Sequence, residues 1–198
     1  MTTHAVARAK APMLVACAVM LAAGTVAVPQ APAVAAEKAI APEHNPPGDI
    51  PDTQVFVPYA SPLGFTIKVP EGWARKTDSS SAHFADKYNT IDIIVSAQST
   101  MPTTTSIKSR LLPDLESMGR AVKVSQVKDV RVGGSTAVMI AYTSNSDPNP
   151  VTNKQVRLEH DRYLFYKAGK LITLDMAAPE GADNVDAWRL MADSFRWR

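Results

Sequence analysis

The chain has 198 residues, of which 45 % are hydrophobic and 20 % charged, with 21 lysines and arginines against 19 aspartates and glutamates. Arg8 and Lys10 are the only residues of these four types before Glu37, so residues 37–198 carry equal numbers of basic and acidic side chains. A neutral domain lacks the positive field that nucleic-acid binding requires, so nucleic acid is not an expected partner. Cys17 is the single cysteine, so the chain after the leader has no disulfide and no thiol nucleophile.

Residues 1–36 have the three-part pattern of a secretory signal peptide. Two basic residues come first, an apolar stretch runs from Ala11 to Val28, and small residues at 33–36 follow two prolines. Small residues suit the narrow pockets of a signal peptidase. We therefore expect cleavage after Ala36, or after Ala35, and export to the periplasm or the medium.

Two other outcomes stay open for this leader. Leu14-Val15-Ala16-Cys17 fits a lipobox, in which Cys17 would be lipidated, although the apolar stretch before it is shorter than usual. The whole apolar stretch is near the lower length limit for crossing a bilayer, so an uncleaved anchor is the third alternative. Membrane attachment is expected only in these two cases.

Residues 37–53 contain four prolines, scattered charges and few apolar side chains. Proline fixes φ and lacks an N–H donor, so this segment is predicted to be an extended tether. His44 lies within it and is expected to be exposed to solvent rather than to bind a ligand. The remainder, 54–198, is predicted to be one domain of ordinary size.

Short apolar segments bounded by turn residues predict the strands. Phe65, Ile67 and Val69 alternate with polar residues, as in a strand with one buried face. The turns between strands are marked by glycine, proline and asparagine. The predicted strands are 55–59, 65–69, 82–87, 90–96, 122–132, 136–143, 155–166 and 171–177.

Two helices are predicted from apolar residues at helical spacing. The first covers 106–118 and contains Pro113, which disrupts a helix interior and predicts a break near Leu112. The second follows Asp183, which is expected to cap it. Its predicted apolar stripe consists of Val185, Trp188, Met191, Ala192 and Phe195.

The later strands indicate the architecture. Residues 138–142 and 163–166 are almost continuously apolar, which is typical of strands covered on both faces. Hairpin connections make neighbouring strands antiparallel. The sequence therefore predicts an α+β domain in which a single antiparallel sheet is flanked by helices on both faces.

The segment from Gly64 to Trp73 resembles the GF-x-x-x-x-P-x-x-W opening of PsbP-like domains. The chain is also similar to exported bacterial proteins of that fold, often lipoproteins, which end in a segment like 181–195. The resemblance covers roughly 54–197. It implies an α/β/α sandwich that serves as a non-catalytic accessory or binding module. No catalytic, cofactor or metal residue of the family maps onto this chain.

The nearest approach to a serine nucleophile motif is Gly133-Gly134-Ser135-Thr136-Ala137. Ala137 replaces the final glycine of G-x-S-x-G, and the segment lies between two predicted strands instead of between a strand and a helix. A glycine hairpin turn is therefore the better interpretation.

Glu159-His160-Asp161 is the nearest approach to a metal site. Adjacent side chains of a strand point to opposite faces, so His160 does not share an ion with its neighbours. Glu159 and Asp161 share a face with Arg157, an arrangement that favours a charge ladder over a calcium site. His83 has no partner at a ligand spacing. No metal and no cofactor is predicted.

The sequence thus predicts a non-enzymatic module of the cell envelope that binds an unknown envelope protein or a small ligand. The long loop Ser144–Asn153 is the surface most expected to be functional. Trp73, Trp188 and Trp197 are candidates to line a ligand groove, but Trp188 falls within the apolar stripe of the second helix, so core packing is the simpler interpretation. The alternative is a hydrolase with dispersed residues, which would require a water-accessible pocket joining His160 or His83 to a serine and a carboxylate.

Overall fold

The structure is a computed structural model and describes residues 37–198. The predicted signal peptide, with Cys17, lies outside the described residues. The strands are β1 Phe56–Ser61, β2 Phe65–Pro70, β3 Ala74–Thr77, β4 Ser81–Asp86, β5 Asn89–Ala97, β6 Lys123–Val132, β7 Ser135–Asn145, β8 Arg157–Lys167, β9 Lys170–Pro179 and β10 Arg196–Trp197. The helices are α1 Thr104–Ser106, α2 Leu112–Ser117 and α3 Val185–Ser194, and a π-helical turn, Ile107–Leu111, joins α1 to α2.

The strands form two antiparallel sheets. Seven strands make the large sheet in the order β3-β4-β5-β9-β8-β7-β6, and three make a small sheet in the order β1-β2-β10. The α+β class with a large antiparallel sheet is confirmed, but the prediction of a single sheet is wrong. Gly72, with φ at 85°, turns the chain after β2, so that β3 starts the large sheet instead of extending the small one.

Helix α3 packs over the main hydrophobic core. Trp188 is 7 % exposed and Phe195, directly after the helix, is 1 % exposed. The Phe195 ring stacks on Phe165 of β8, with ring centroids 3.9 Å apart, and on Phe65 of β2 at 6.0 Å. These contacts join the large sheet, the small sheet and α3 in one core.

Strand β7 contributes to two separate apolar clusters. Ala137 and Met139 belong to the main core, whereas Val138 and Ile140 belong to a second cluster. Ile107 of the π turn packs in that second cluster. Because side chains alternate along a strand, β7 is buried on both faces, as its continuous apolar run indicates.

Residues 37–53, predicted to be a tether, contain no helix or strand but are bound to the domain; we call this segment the strap. Its first anchor is Asn145, the last residue of β7, which is 2 % exposed. The Asn145 amide donates to the Glu37 carboxylate at 2.8 Å and to the Lys38 carbonyl at 2.9 Å. The side-chain oxygen of Asn145 accepts from the Ile40 N–H at 3.2 Å.

Two further asparagines hold the other end of the strap. The Gly48 carbonyl accepts from Asn89 at 2.8 Å and from Asn184 at 3.0 Å. The Ile50 N–H donates to the side-chain oxygen of Asn184 at 2.7 Å, and the Ile50 side chain is buried in the main core. Both ends of the strap are therefore fixed to the domain.

The predicted helices differ from the observed ones at their ends. The residue at the N-cap position of α3 is Asn184 instead of Asp183. The Asn184 side chain makes no hydrogen bond to the helix and instead holds the strap. Val185, predicted in the apolar stripe, is 61 % exposed. Met118, predicted on the apolar face of the first helix, is 74 % exposed because α2 ends at Ser117.

Candidate binding site beside a buried polar network

Asp175 of β9 is the centre of a buried polar network that joins three strands of the large sheet. The strand register places Arg162 of β8 directly opposite Asp175. The Asp175 Oδ2 atom accepts from Arg162 Nε at 2.8 Å and from the Tyr142 hydroxyl of β7 at 2.5 Å, and it is also bound by Arg162 Nη2. Arg162 Nη2 donates in turn to the Tyr142 oxygen at 2.9 Å. One carboxylate thus cross-links β7, β8 and β9.

His160 extends this network to a serine. Its ring stacks on Tyr142, with ring centroids 4.2 Å apart and planes 12° apart. The Nδ1 atom of His160 lies 3.3 Å from Asp175 Oδ1, and Nε2 lies 2.8 Å from Ser144 Oγ. With Nδ1 protonated and the ring neutral, His160 donates to Asp175 and accepts from Ser144.

The environment keeps Asp175 ionised and Tyr142 neutral. Burial alone raises the pKa of Asp175, but the hydrogen bond from His160 and the charge of Arg162 together lower that pKa below its usual value. Burial, together with the Asp175 charge, raises the pKa of the Tyr142 hydroxyl far above its usual value. The hydroxyl therefore remains a donor to the carboxylate. A buried ion pair of this kind is costly to break, since removing one partner leaves the other unpaired in the protein interior.

Hydrogen bonds link Ser144 to His160 and His160 to Asp175, as in a catalytic triad. The surroundings of these three residues nevertheless differ from those in a hydrolase. Ser144 is 7 % exposed and lies within β7, whereas a nucleophile elbow exposes the serine at a sharp turn. Asp175 is shared with Arg162, so it does not serve His160 alone. Five concave sites lie within residues 37–198 whose lining includes neither Ser144 nor His160.

A concave site of about 220 Å³ lies next to the network, between the sheet and the segment that contains the π turn; we call it the cleft. Its apolar residues are Ile107, Leu111, Leu164 and Leu171, together with Pro102. Its polar and charged lining residues are Gln98, Thr100, Ser106, Arg110, Asp114, Arg162 and Thr173. An apolar surface with a few polar groups around it is the usual composition of a ligand site.

The π turn forms one wall of the cleft. Pro113 has no N–H and so makes no regular hydrogen bond to the preceding turn. The Leu112 N–H instead bonds to the Ile107 carbonyl, five residues back, which widens the turn. Arg110 and Leu111, at the end of the wide turn, both line the cleft. Isolated π turns occur frequently at functional sites.

Arg162 belongs to both the network and the cleft. It lines the cleft, and its side chain is 18 % exposed. Its hydrogen bonds to Asp175 and Tyr142 fix the plane of the guanidinium group. The buried network therefore holds a charged side chain of the cleft wall in one orientation.

The structure places His83 in a separate pair. Its Nδ1 atom lies 2.6 Å from the Asp92 carboxylate, and the two side chains are 36 % and 47 % exposed. Asp92 is opposite Asp175 in the register of β5 and β9, so the pair lies on the network's face of the sheet. Within residues 37–198 no three histidine, cysteine or acidic side chains are grouped so that they could hold a metal ion.

The charge ladder expected from Glu159, Asp161 and Arg157 is not formed. Arg157 pairs with Glu180 at 3.8 Å and donates to the Thr143 hydroxyl at 2.5 Å. Burial raises the pKa of Glu159 and of Asp161.

The predicted functional loop Ser144–Asn153 is partly structural. Ser144 belongs to the polar network, and Asn145 anchors the strap. Ser146 is 7 % exposed and its hydroxyl accepts from the Val156 N–H at 3.0 Å. The residues that line the cleft lie elsewhere in the chain.

The glycine turn and the three tryptophans noted in the sequence all have structural roles. Gly133 and Gly134 form the turn between β6 and β7, with φ at 58° and 75°. Trp188 is buried in the main core, and Trp73 and Trp197 pack against that core while partly buried.

Sequence reasoning did not identify Tyr142, Arg162 and Asp175 as a group. A signal was available for two of them. If the last two predicted strands pair about the turn at 167–170, Arg162 falls directly opposite Asp175, and opposite charges on facing strands attract. The position of Tyr142 required the register of β7, which the irregular loop after it does not fix.

Comparisons with known proteins agree with this fold. No family model matches the sequence, and no curated protein matches it. The cyanobacterial PsbP of Synechocystis sp. PCC 6803 is similar in structure, with a TM-score of 0.56 and 18 % identity over 76 % of this chain and 98 % of that protein. The chain has the PsbP fold. The resemblance indicated by residues 64–73 is thereby confirmed.

Two other solved structures are less similar to this chain. The Ran-binding protein Mog1p of Saccharomyces cerevisiae has a TM-score of 0.49 at 10 % identity, over 73 % of this chain and 96 % of its own. LpqN, involved in cell envelope biogenesis of Mycobacterium tuberculosis, has a TM-score of 0.45 at 16 % identity, over 73 % of this chain and 91 % of its own. The likeness to the cyanobacterial PsbP, at 18 % identity, shows the fold alone and transfers no residue roles.

Proposed function

We propose that this chain is an exported, non-catalytic binding module of the bacterial cell envelope, and that the cleft is its binding site. The observation that carries the proposal is the cleft, which combines an apolar surface with a charged side chain fixed by a buried network. Preorganised polar groups of this kind support specific binding because little side-chain entropy is lost when a ligand arrives. The resemblance to PsbP-like domains supports an accessory or binding role by analogy.

Export is supported by the leader. A basic start, an apolar stretch and the small residues at 33–36 make the signal-peptide pattern. Lipidation at Cys17 and an uncleaved anchor remain the alternatives to cleavage after Ala36. Among residues 37–198 no helix is both long enough and apolar enough to cross a membrane.

Partner capture with a blocked cleft tests the proposal. Thr173, half-buried on β9, lines the cleft, and Thr173→Trp would fill it. Thr90→Trp is the matched control, because Thr90 lies on the same sheet face and is also half-buried but does not line the cleft. We expect the exported wild type and the Thr90→Trp variant to retain the same ligand or partner from envelope extract, and Thr173→Trp to lose it. Equal retention by all three proteins would place binding outside the cleft.

The second candidate function is a hydrolase, which the Ser144–His160–Asp175 hydrogen-bond chain favours. Its test is turnover of ester, peptide and glycan substrates by the wild type, Ser144→Ala and His160→Ala. Turnover that both substitutions abolish would establish the hydrolase and overturn the non-catalytic proposal. Activity that survives Ser144→Ala would exclude this serine as the nucleophile.

A further inference from the structure

The guanidinium group of Arg162 has one nitrogen left for a ligand. Its Nε and Nη2 atoms are bound to Asp175 and Tyr142. Within residues 37–198 the structure gives Nη1 no hydrogen-bond partner. Because Arg162 lines the cleft and is partly exposed, Nη1 is the donor of this group that a molecule in the cleft can reach. Nη1 carries two N–H groups, which suit an anionic oxygen.

A second guanidinium group lies at the rim of the same cleft. Arg110 is exposed, and within the described residues it has no carboxylate within 4.0 Å. Asp114, also exposed at the rim, has no cationic partner there either. The cleft therefore offers two arginine donors to an anion and one carboxylate that opposes it.

We propose, on the basis of the proposed binding function, that the cleft binds a small amphipathic monocarboxylate. Its carboxylate would accept from Arg162 Nη1 and from Arg110, and its apolar part would cover the leucine side chains of the cleft. The volume of about 220 Å³ lies below the roughly 300–1,000 Å³ of most ligand sites, so the ligand is small.

The charge balance of the cleft disfavours a ligand with two negative charges. Asp175 beneath Arg162 neutralises that guanidinium, and Asp114 lies near Arg110. A phosphate dianion would face both carboxylates, whereas a carboxylate brings one charge and two acceptor oxygens. The proposed occupant is therefore a monoanionic carboxylate rather than a phosphate dianion.

Calorimetric titration with 4-phenylbutyrate, and with its neutral amide as the matched probe, tests the proposal. The protein is used in its exported form. We expect the carboxylate to bind and the amide to bind at least about tenfold more weakly, as for the loss of a charge-assisted hydrogen bond.

Arg110→Gln should weaken binding of the carboxylate by roughly five- to tenfold, and Asp114→Asn should strengthen it by about two- to threefold. Arg162 is left unchanged because its loss would expose the buried Asp175 charge.

Lys108→Gln is the control for Arg110→Gln. It removes the same charge from the same π turn at an exposed residue that does not line the cleft, so it should leave binding of the carboxylate unchanged. Equal binding of the amide, or equal losses in Lys108→Gln and Arg110→Gln, would overturn carboxylate recognition while leaving the cleft as a binding site. Failure of both probes at millimolar concentration would also overturn it. The binding function itself is decided separately by capture with Thr173→Trp.

Discussion

The amide of Asn145 donates to the carboxylate of Glu37 at 2.8 Å, across 108 residues of sequence. Glu37 also accepts from Gln155 at 2.7 Å and from the Arg120 N–H at 3.1 Å. A residue that starts the predicted tether is thus held by the predicted functional loop. Buried polar groups need hydrogen-bond partners, and Glu37 of the strap is the partner of the amide groups at this end of the sheet. The strap is therefore part of the folded domain.

Asn145→Ala should release the first strap anchor. The substitution leaves the Ile40 N–H and one Arg157 donor without their partner, and we expect a loss of about 2–3 kcal/mol in the free energy of unfolding. Asn149→Ala is the control, because the Asn149 side chain bonds only to exposed backbone groups. Urea unfolding measures the stability, and limited proteolysis should cut residues 37–50 faster in Asn145→Ala alone. Equal cutting in both variants would mean that Asn145 does not hold the strap.

Glu37→Gln should change the dependence of stability on pH. Hydrogen bonds from Asn145 and Gln155, with help from the Arg120 charge, hold the pKa of Glu37 below its ordinary value of 4.5. A lowered carboxyl pKa contributes stability above the ordinary value, and this contribution is lost as pH falls through the lowered one. Wild type should therefore exceed Glu37→Gln by about 1 kcal/mol at pH 7, and the difference should vanish in acid.

The control for this pH series is Glu43→Gln, an exposed position of the same strap. Urea midpoints measured between pH 3 and pH 7 should run parallel for Glu43→Gln and wild type. A Glu37→Gln curve that stays parallel to wild type throughout would contradict an ionised, hydrogen-bonded Glu37.

Tyr142→Phe should destabilise the polar network without removing its ion pair. The hydroxyl donates to Asp175 and accepts from Arg162, so its loss leaves a buried carboxylate with one donor fewer, at a cost of about 1–3 kcal/mol. Tyr166→Phe makes the same chemical change where the hydroxyl has only a 3.4 Å contact with the Ser99 carbonyl. Its expected cost in thermal or urea unfolding is below about 0.5 kcal/mol. Similar losses of stability in the two variants would show that the Tyr142 hydroxyl contributes no more to stability than the Tyr166 hydroxyl does.

Trp188→Ala should cost about 3–5 kcal/mol, because the buried indole ring leaves a cavity between α3 and the sheet. Val185→Ala removes apolar atoms from the same helix at a position that is 61 % exposed, and it should change stability by less than about 0.5 kcal/mol. Urea unfolding of both variants decides the point. A Trp188→Ala protein as stable as wild type would mean that the Trp188 ring does not lie in the main core.

The intact mass of the protein from its native envelope should correspond to a chain that begins at Glu37. A diacylglycerol adduct on Cys17 would instead identify a lipoprotein. A mass that includes residues 1–36 would identify an uncleaved anchor. Either result would show that the leader is not cleaved after Ala36.

Local patterns in the sequence determined much of the fold. The alternation of Phe65, Ile67 and Val69 predicts β2, and the helical spacing of Trp188 and Met191 predicts the buried side of α3. Pro113 predicts the position at which the first helix changes, because a missing N–H disrupts a helix wherever the chain folds. These features depend on residues only a few positions apart, so the sequence alone is sufficient for them.

The candidate site was decided by the tertiary structure. Asp175, Arg162 and Tyr142 meet because the register aligns three strands, and a shift of one residue would move each side chain to the opposite face. The strap depends on partners far apart in sequence, such as Asn145 with Glu37. The addition of β10 to the small sheet likewise depends on its distant partner β2. Hydrogen bonds of this kind leave no periodic pattern, because each depends on the position of two distant backbone segments.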